Sequence, residues 1–337
     1  MFATLSLPAG FDLSTPQRTP TVRVRSADDL RNALRHAREH SVRLDGSGMD
    51  RVLQLAASRK LIEVQAAAPW AEMANYLASN QIAIGAFAHM RGTVGEAVTQ
   101  AAAGPDGLLV TAHVAALTLF TPDGELRRAD RSAHPELFRL AVGGQGVIGV
   151  FYSVTLSIDS LLASAAAETA PVELGITEET ATQSPECAIE YLLPPAALDA
   201  FLKEVRSLAE ERRIALHGIT VRRYQPETES ALRWATREWA GVEVRFGAKA
   251  TLGASVAAAE VRRALLAAAL GHGGSFPIRD LRDATRRQLE ACYPMIGAFI
   301  ADKRRGDHAE RLQNPWYRAL VATMRGEACA VRWGKES

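Results

Sequence analysis

The residues of this sequence with the clearest chemical potential are glycines in short clusters: Asp45-Gly46-Ser47-Gly48, Arg91-Gly92-Thr93-Val94-Gly95, Gly104-Pro105-Asp106-Gly107, and Gly143-Gly144-Gln145-Gly146 followed by Gly149 and Val150. Main-chain N–H groups in a tight turn chelate a phosphate or diphosphate. Glycine supplies the positive φ and the close backbone approach such a turn needs. Taken singly, Gly46, Gly48 or Gly104 reads equally well as an ordinary turn residue, and only their order points to an anion cradle. Other catalytic signatures are missing. The chain has no Gly-x-Ser-x-Gly, His-Glu-x-x-His or Walker Gly-x-x-x-x-Gly-Lys-Ser/Thr pattern. Cys187, Cys292 and Cys329 are far apart with no Cys-x-x-Cys, so neither a metal site nor a disulfide framework is expected. Thiols used this sparingly fit a reducing compartment, and the expected location is the cytoplasm.

The elements that must position these loops alternate early. Thr21 to Arg25 reads as a strand and Ser26 as the cap of a helix, with Asp29 completing a capping-box pattern. Val42 to Leu44 is the strand that runs into Gly46. Leu61 to Ala66 is a further strand, and Trp70 to Ser79 a helix. Val114 to Thr121 is β-prone and ends at Pro122-Asp123-Gly124, a turn signal that makes Glu125 to Arg128 its hairpin partner. After a helix from Pro135, Val150, Tyr152, Val154, Leu156 and Ile158 alternate on one strand face. Between Ser160 and Glu186 the composition shifts to Ala, Thr, Glu and Ser, which reads as a domain junction. Beyond it, strands are expected at Cys187–Leu193, Ile214–Arg222 and Val242–Ala250, and helices at Ala196–Glu211 and Ser255–Leu270. Gly273-Gly274 opens a short strand, and Asp283 caps a helix that Pro294 ends.

The chain has 337 residues and a net charge of +1, with 47% apolar and 23% charged residues. It can bury a large core, and its charge gives nucleic-acid binding no support. No apolar run is long enough for a membrane span, and the N-terminus lacks the features of a secretory signal. Strands followed by mixed helices without a uniform βα rhythm predict an α+β fold in two subdomains.

Three stretches resemble the FAD-binding domain of vanillyl-alcohol-oxidase-type (PCMH-type) flavoproteins. The first is Val24 to Leu30 followed by Val42 to Gly48. The second is Arg91 to Val98, then Gly104 to Gly107 and His113 to Leu119. The third and most specific is His134-Pro135-Glu136-Leu137-Phe138-Arg139 with Gly143 to Val150. Within that family the sequence is most similar to the branch of aldonolactone oxidases, alditol oxidases and decaprenylphosphoryl-ribose oxidase. The resemblance implies a bound FAD held by Gly46, Ser47, Gly48, Gly92, Thr93, Val94, Gly95, Gly104, His113, Gly144, Gly149 and Val150. It also implies an FAD-binding domain over residues 1–163, a substrate domain over 164–294, and a C-terminal segment, 295–337, returning to the first. Two departures stand out. The first glycine loop is short, and Glu96 stands where relatives carry a second glycine; a carboxylate there repels a diphosphate unless it points away. The first loop has no histidine, so the family's covalent flavin link is not expected.

The same resemblance implies the chemistry. An FAD-dependent oxidoreductase acts on a hydroxyl-bearing small molecule of the sugar or alcohol class, and a carboxylate, guanidinium and ammonium on the substrate domain serve it. The matching positions are Glu190, Arg222, Arg279 and Lys303, and the expected partner is a small-molecule substrate. The other reading is a flavin-fold protein without catalysis, acting as a binding or partner subunit. Arg332-Trp333-Gly334-Lys335 is similar to a motif of alditol oxidases but stands in a different place in the order of segments.

Overall fold

The computed structural model describes residues 2–5, 20–37, 42–165, 172–174, 186–247 and 252–326. Cys329, the Arg332–Lys335 motif and most of the expected domain junction lie outside them. The chain forms two compact units. The first comprises Met1–Glu168, Thr228–Arg233 and Met295–Arg318; the second comprises Thr169–Glu227, Trp234–Pro294 and Ala319–Ser337. Both mix helices with sheets that are largely antiparallel, so the fold is α+β.

With strands numbered along the chain, the first unit has two sheets. One runs β13 (Leu312–Gln313), β1 (Phe2–Leu5), β3 (Val42–Asp45), β2 (Thr21–Arg23). The other runs β4 (Val52–Ala56), β5 (Leu61–Gln65), β8 (Val150–Ser157), β6 (Val114–Phe120), β7 (Leu126–Ala129). β2 and β3 are parallel, joined by the helix Ala27–His36 as a βαβ crossover. The Ser26 hydroxyl accepts from the Asp29 amide, as expected. The Asp29 carboxylate reaches one residue further back than a capping box, to the Arg25 amide. Leu30, Ala33 and Leu34 of this helix pack with Val24, Val42, Leu44, Met49 and Phe120 into a core shared by both sheets.

The alternation read in β8 holds only in part. Ser153 and Thr155, on the opposite face, are buried too. β8 is a central strand covered on both sides, and Ser153 donates to Glu63 of neighbouring β5. Ile158 no longer belongs to the strand but opens the helix Ile158–Ala165. The excursion Thr228–Arg233 is tied to the first unit by Arg131, which bonds Glu229 and the Val114 carbonyl and lies 5.3 Å from the Phe138 ring.

The second unit is built on one sheet, β10 (Glu186–Leu193), β12 (Trp239–Gly247), β11 (Leu216–Tyr224), β9 (Val172–Leu174). Ile189, Tyr191, Val242, Val244 and Ile219 share one buried face. The long helix Leu252–Gly271 packs along β10, and the Tyr191 hydroxyl donates to the Arg262 carbonyl on it. Asp283 does not cap the following helix. It pairs with Arg262, and Thr285 caps Arg286–Cys292 with a full capping box to Gln288. Gly273-Gly274 leads not into a strand but into an isolated bridge between Leu192 and Ser275.

Candidate functional site

β3 ends at Asp45, and the chain then turns on itself. The Asp45 carboxylate accepts from the Ser47 amide at 3.0 Å, and Met49 N donates to Gly46 O at 2.9 Å. Those Ser47 hydrogen bonds hold the Asp45 carboxyl below its usual range. Gly48 is required by close packing, since a Cβ there would stand 2.6 Å from Arg25 Cγ. The second loop lies beside the first because one segment holds both. Ala67 N donates to Met49 O, while Ala66 O and Ala68 O accept from Gly95 N and Val94 N. A Cβ at Gly95 would stand 2.5 Å from Ala66 O.

This arrangement sorts the sequence-predicted donors. The amides of Val94, Gly95, Gly104 and Gly144 are committed to carbonyls of the protein itself, and that of Ser47 to Asp45. The Gly104 segment is a closed loop, with Gly104 N donating to Leu108 O and Gly107 at φ +81. The amides of Gly46, Gly48, Gly92 and Thr93 donate to no group among the described residues; main-chain N–H groups of this kind are what a diphosphate cradle uses. Gly92 takes φ +76, a conformation that favours glycine. Gly146, Gly149, Val150 and Phe151, with Val24, Leu44, Gly46 and Met49, enclose an apolar space of about 30 Å³ behind the first loop. Gly149 packs against Leu119 and Phe120.

Glu96 does not point away. Its Oε2 lies 2.8 Å from where a Gly92 Cβ would sit, and its Oε1 accepts from Gln100 at 3.3 Å. The carboxylate folds over the Gly92 turn and competes with any anion there. Glu96→Gln is therefore expected to tighten FAD binding about tenfold, measured by titrating the full chain against the loss of free FAD fluorescence.

His113 is fully buried. Its Nδ1 lies 2.7 Å from Ser160 Oγ and its Nε2 3.6 Å from Asp106 Oδ2, with Phe87 edge-on at 5.0 Å. Burial holds the imidazole below its ordinary value, 6.5, with Asp106 opposing. In the unfolded chain His113 takes up a proton near that value. The stability it contributes is thus fully present above it and lost as pH falls through the lower folded value. Calorimetry is expected to show Tm falling between pH 7 and 5, and His113→Leu is expected to flatten that decline.

Residues 32–130 match the family model described as an FAD binding domain. That stretch holds both open turns, the Gly104 loop and His113. It indicates that the chain binds FAD. The match covers less than half of the chain, and no curated protein matches it. Amides without a partner among the described residues, in both glycine turns, are of the type that binds a diphosphate; the carboxylate of Glu96 over Gly92 is set against one.

On the second unit, Glu190 is buried on β10. Strand register places Glu190, Gly241, Glu243, Thr220, Arg222 and Tyr224 on one face, opposite the face that packs on helices. The Tyr224 hydroxyl donates to Glu190 Oε1, and Arg279 Nη2 donates to Glu190 Oε2 at 2.5 Å. Gly241 makes the meeting of tyrosine and carboxylate possible, because a Cβ there would lie 2.2 Å from Tyr224 Cε2 and 2.8 Å from Glu190 Oε1. Burial and then the Glu190 charge push the Tyr224 phenol well above its ordinary value, so it stays a donor. Burial disfavours the Arg279 charge, but Glu190 and Asp280 outweigh it and hold the guanidinium above its ordinary value. Arg222 is exposed on the same face.

Lys303 belongs to the first unit. Its side chain is fully buried, bonds the Asp307 carboxylate and lies 5.3 Å from the Tyr317 ring centroid. Burial lowers its pKa against the pull of Asp307. Asp307 also accepts from the amides of Arg311 and Leu312, which fixes the turn into β13. Glu190, Arg222 and Arg279 are thus brought together and Lys303 is engaged elsewhere. Tyr224 and Gly241 were not singled out by sequence. Their signal was the period of two that puts Tyr224 on the face of Arg222.

Proposed function

We propose that this chain is an FAD-dependent oxidoreductase that oxidises a hydroxyl-bearing small molecule of the sugar or alcohol class. The observation that carries the reading is the buried Glu190 carboxylate held by Tyr224 and Arg279 on one sheet face, in a chain whose residues 32–130 match an FAD binding domain. The amides of Gly46, Gly48, Gly92 and Thr93 would hold the cofactor's diphosphate. Held there, FAD would supply the hydride acceptor, flavin N5, for a substrate C–H. The neighbouring hydroxyl must lose its proton as that bond breaks, and the Glu190 carboxylate, with lone pairs left on both oxygens, takes it. Arg279 and Arg222 stabilise the developing alkoxide. Tyr224 keeps the carboxylate in one orientation.

A second reading, a flavin-fold partner or binding subunit without catalysis, draws on Glu96 lying over Gly92. An anaerobic screen of alditols, aldonolactones and simple alcohols against the FAD-loaded chain separates the two. Bleaching of the flavin band by any of them supports the oxidoreductase. A flavin that stays oxidised throughout the panel supports the partner.

A further inference from the structure

We propose that the second unit carries, apart from the Glu190 cluster, a groove that binds a small organic anion bearing a carboxylate or phosphate. The groove has a volume of about 800 Å³ and lies between the Trp234–Trp239 segment, the Gly273–Ser275 turn and the helix Arg286–Cys292. That volume is typical of small-molecule sites. Arg237 and Arg287 line it, and none of its described lining residues is Asp or Glu.

Among the described residues, neither arginine pairs with a carboxylate. Arg237 donates to the Gly273 carbonyl at 2.5 Å and its guanidinium stacks 4.2 Å from the Trp239 ring centroid. Neither partner carries a charge, so the cation is positioned but uncompensated. Trp239 is itself pinned beneath it, its indole N–H donating to Trp234 O at 3.1 Å. Arg287 has no acidic partner among the described residues, whereas its neighbour Arg286 pairs with Glu290 at 2.9 Å. A concave surface with two guanidinium groups and no opposing carboxylate focuses positive potential. The planar forks match the geometry of carboxylate and phosphate oxygens. Ser275 and Gln288 add neutral polar groups to the lining, and the buried indoles keep the floor rigid.

The test is isothermal titration of the full chain, saturated with FAD, against inorganic pyrophosphate and against citrate. Saturable binding of at least one is expected, weakened about tenfold or more in Arg287→Gln and in Arg237→Gln. Stronger binding of pyrophosphate assigns the groove to phosphorylated ligands, and stronger binding of citrate to polycarboxylates. Arg287 is exposed on its helix, so if Arg237→Gln fails to fold, Arg287→Gln decides alone. No saturable binding of either anion, or binding of unchanged affinity in the variants, overturns the proposal. The second outcome would place the anion at another site.

Discussion

Glu190→Gln is expected to lower the rate of flavin reduction by substrate about 10²- to 10⁴-fold, the range a positioned general base supplies. The substitution keeps the size and planarity of the side chain: its carbonyl oxygen accepts from Arg279, its NH2 donates to the Tyr224 hydroxyl oxygen, and the flavin spectrum stays unchanged. What it removes is the proton acceptor. Tyr224 and Arg279 fix the native carboxylate in one orientation, so its function comes from its place. Stopped-flow reduction of the flavin at several pH values measures the loss. A variant within a factor of two of the parent would remove Glu190 from the chemistry and leave it as part of a buried ion pair. Such pairs are themselves strong perturbers of local structure, so the thermal stability of the variant must be measured beside the rate.

The second large effect is structural. Asp307→Ala is expected to destabilise the first unit by about 3–5 kcal/mol, the cost of stranding a buried charge. Lys303 has no exposed surface and its Nζ is bonded to Asp307, which also accepts two main-chain amides. Removing the carboxylate leaves a buried ammonium and two orphaned N–H groups. Replacing both partners, Lys303→Met with Asp307→Asn, is expected to recover much of the loss, because the buried charge goes with its partner. Chemical denaturation of the two variants beside the parent measures both numbers. If the single substitution costs less than about 1 kcal/mol, Lys303 is solvated or partnered in another way.

How much of this was legible in the sequence follows from what each signal measures. Period-two alternation and turn residues placed β3, β6, β7, β8 and β10 to within a residue or two, since alternation and punctuation are local. The α+β class came from the order of those elements. The burial of Ser153 and Thr155 on the other face of β8 was not legible, because sequence cannot tell a central strand with bonded serines from an edge strand. The glycines carried a true signal of mixed origin. Gly92 is a turn glycine with an open amide, while Gly95 and Gly144 are glycine because a Cβ would strike Ala66 or Leu140. Nothing in the one-letter code separates these two reasons. Glu190 and Arg279 are 89 positions apart, and only the strand register and the return of the chain bring them together. Tyr224 and Gly241 are hidden for a different reason: their contact depends on a missing Cβ.

The amides of Gly46, Gly48, Gly92 and Thr93 are proposed to hold the diphosphate of FAD. Incubating the purified chain with excess FAD, removing the free cofactor by desalting and recording the visible spectrum tests this most directly. The account predicts a yellow protein with one FAD per chain, and a FAD yield that rises in Glu96→Gln. A colourless protein, with Glu96→Gln colourless as well, would contradict it.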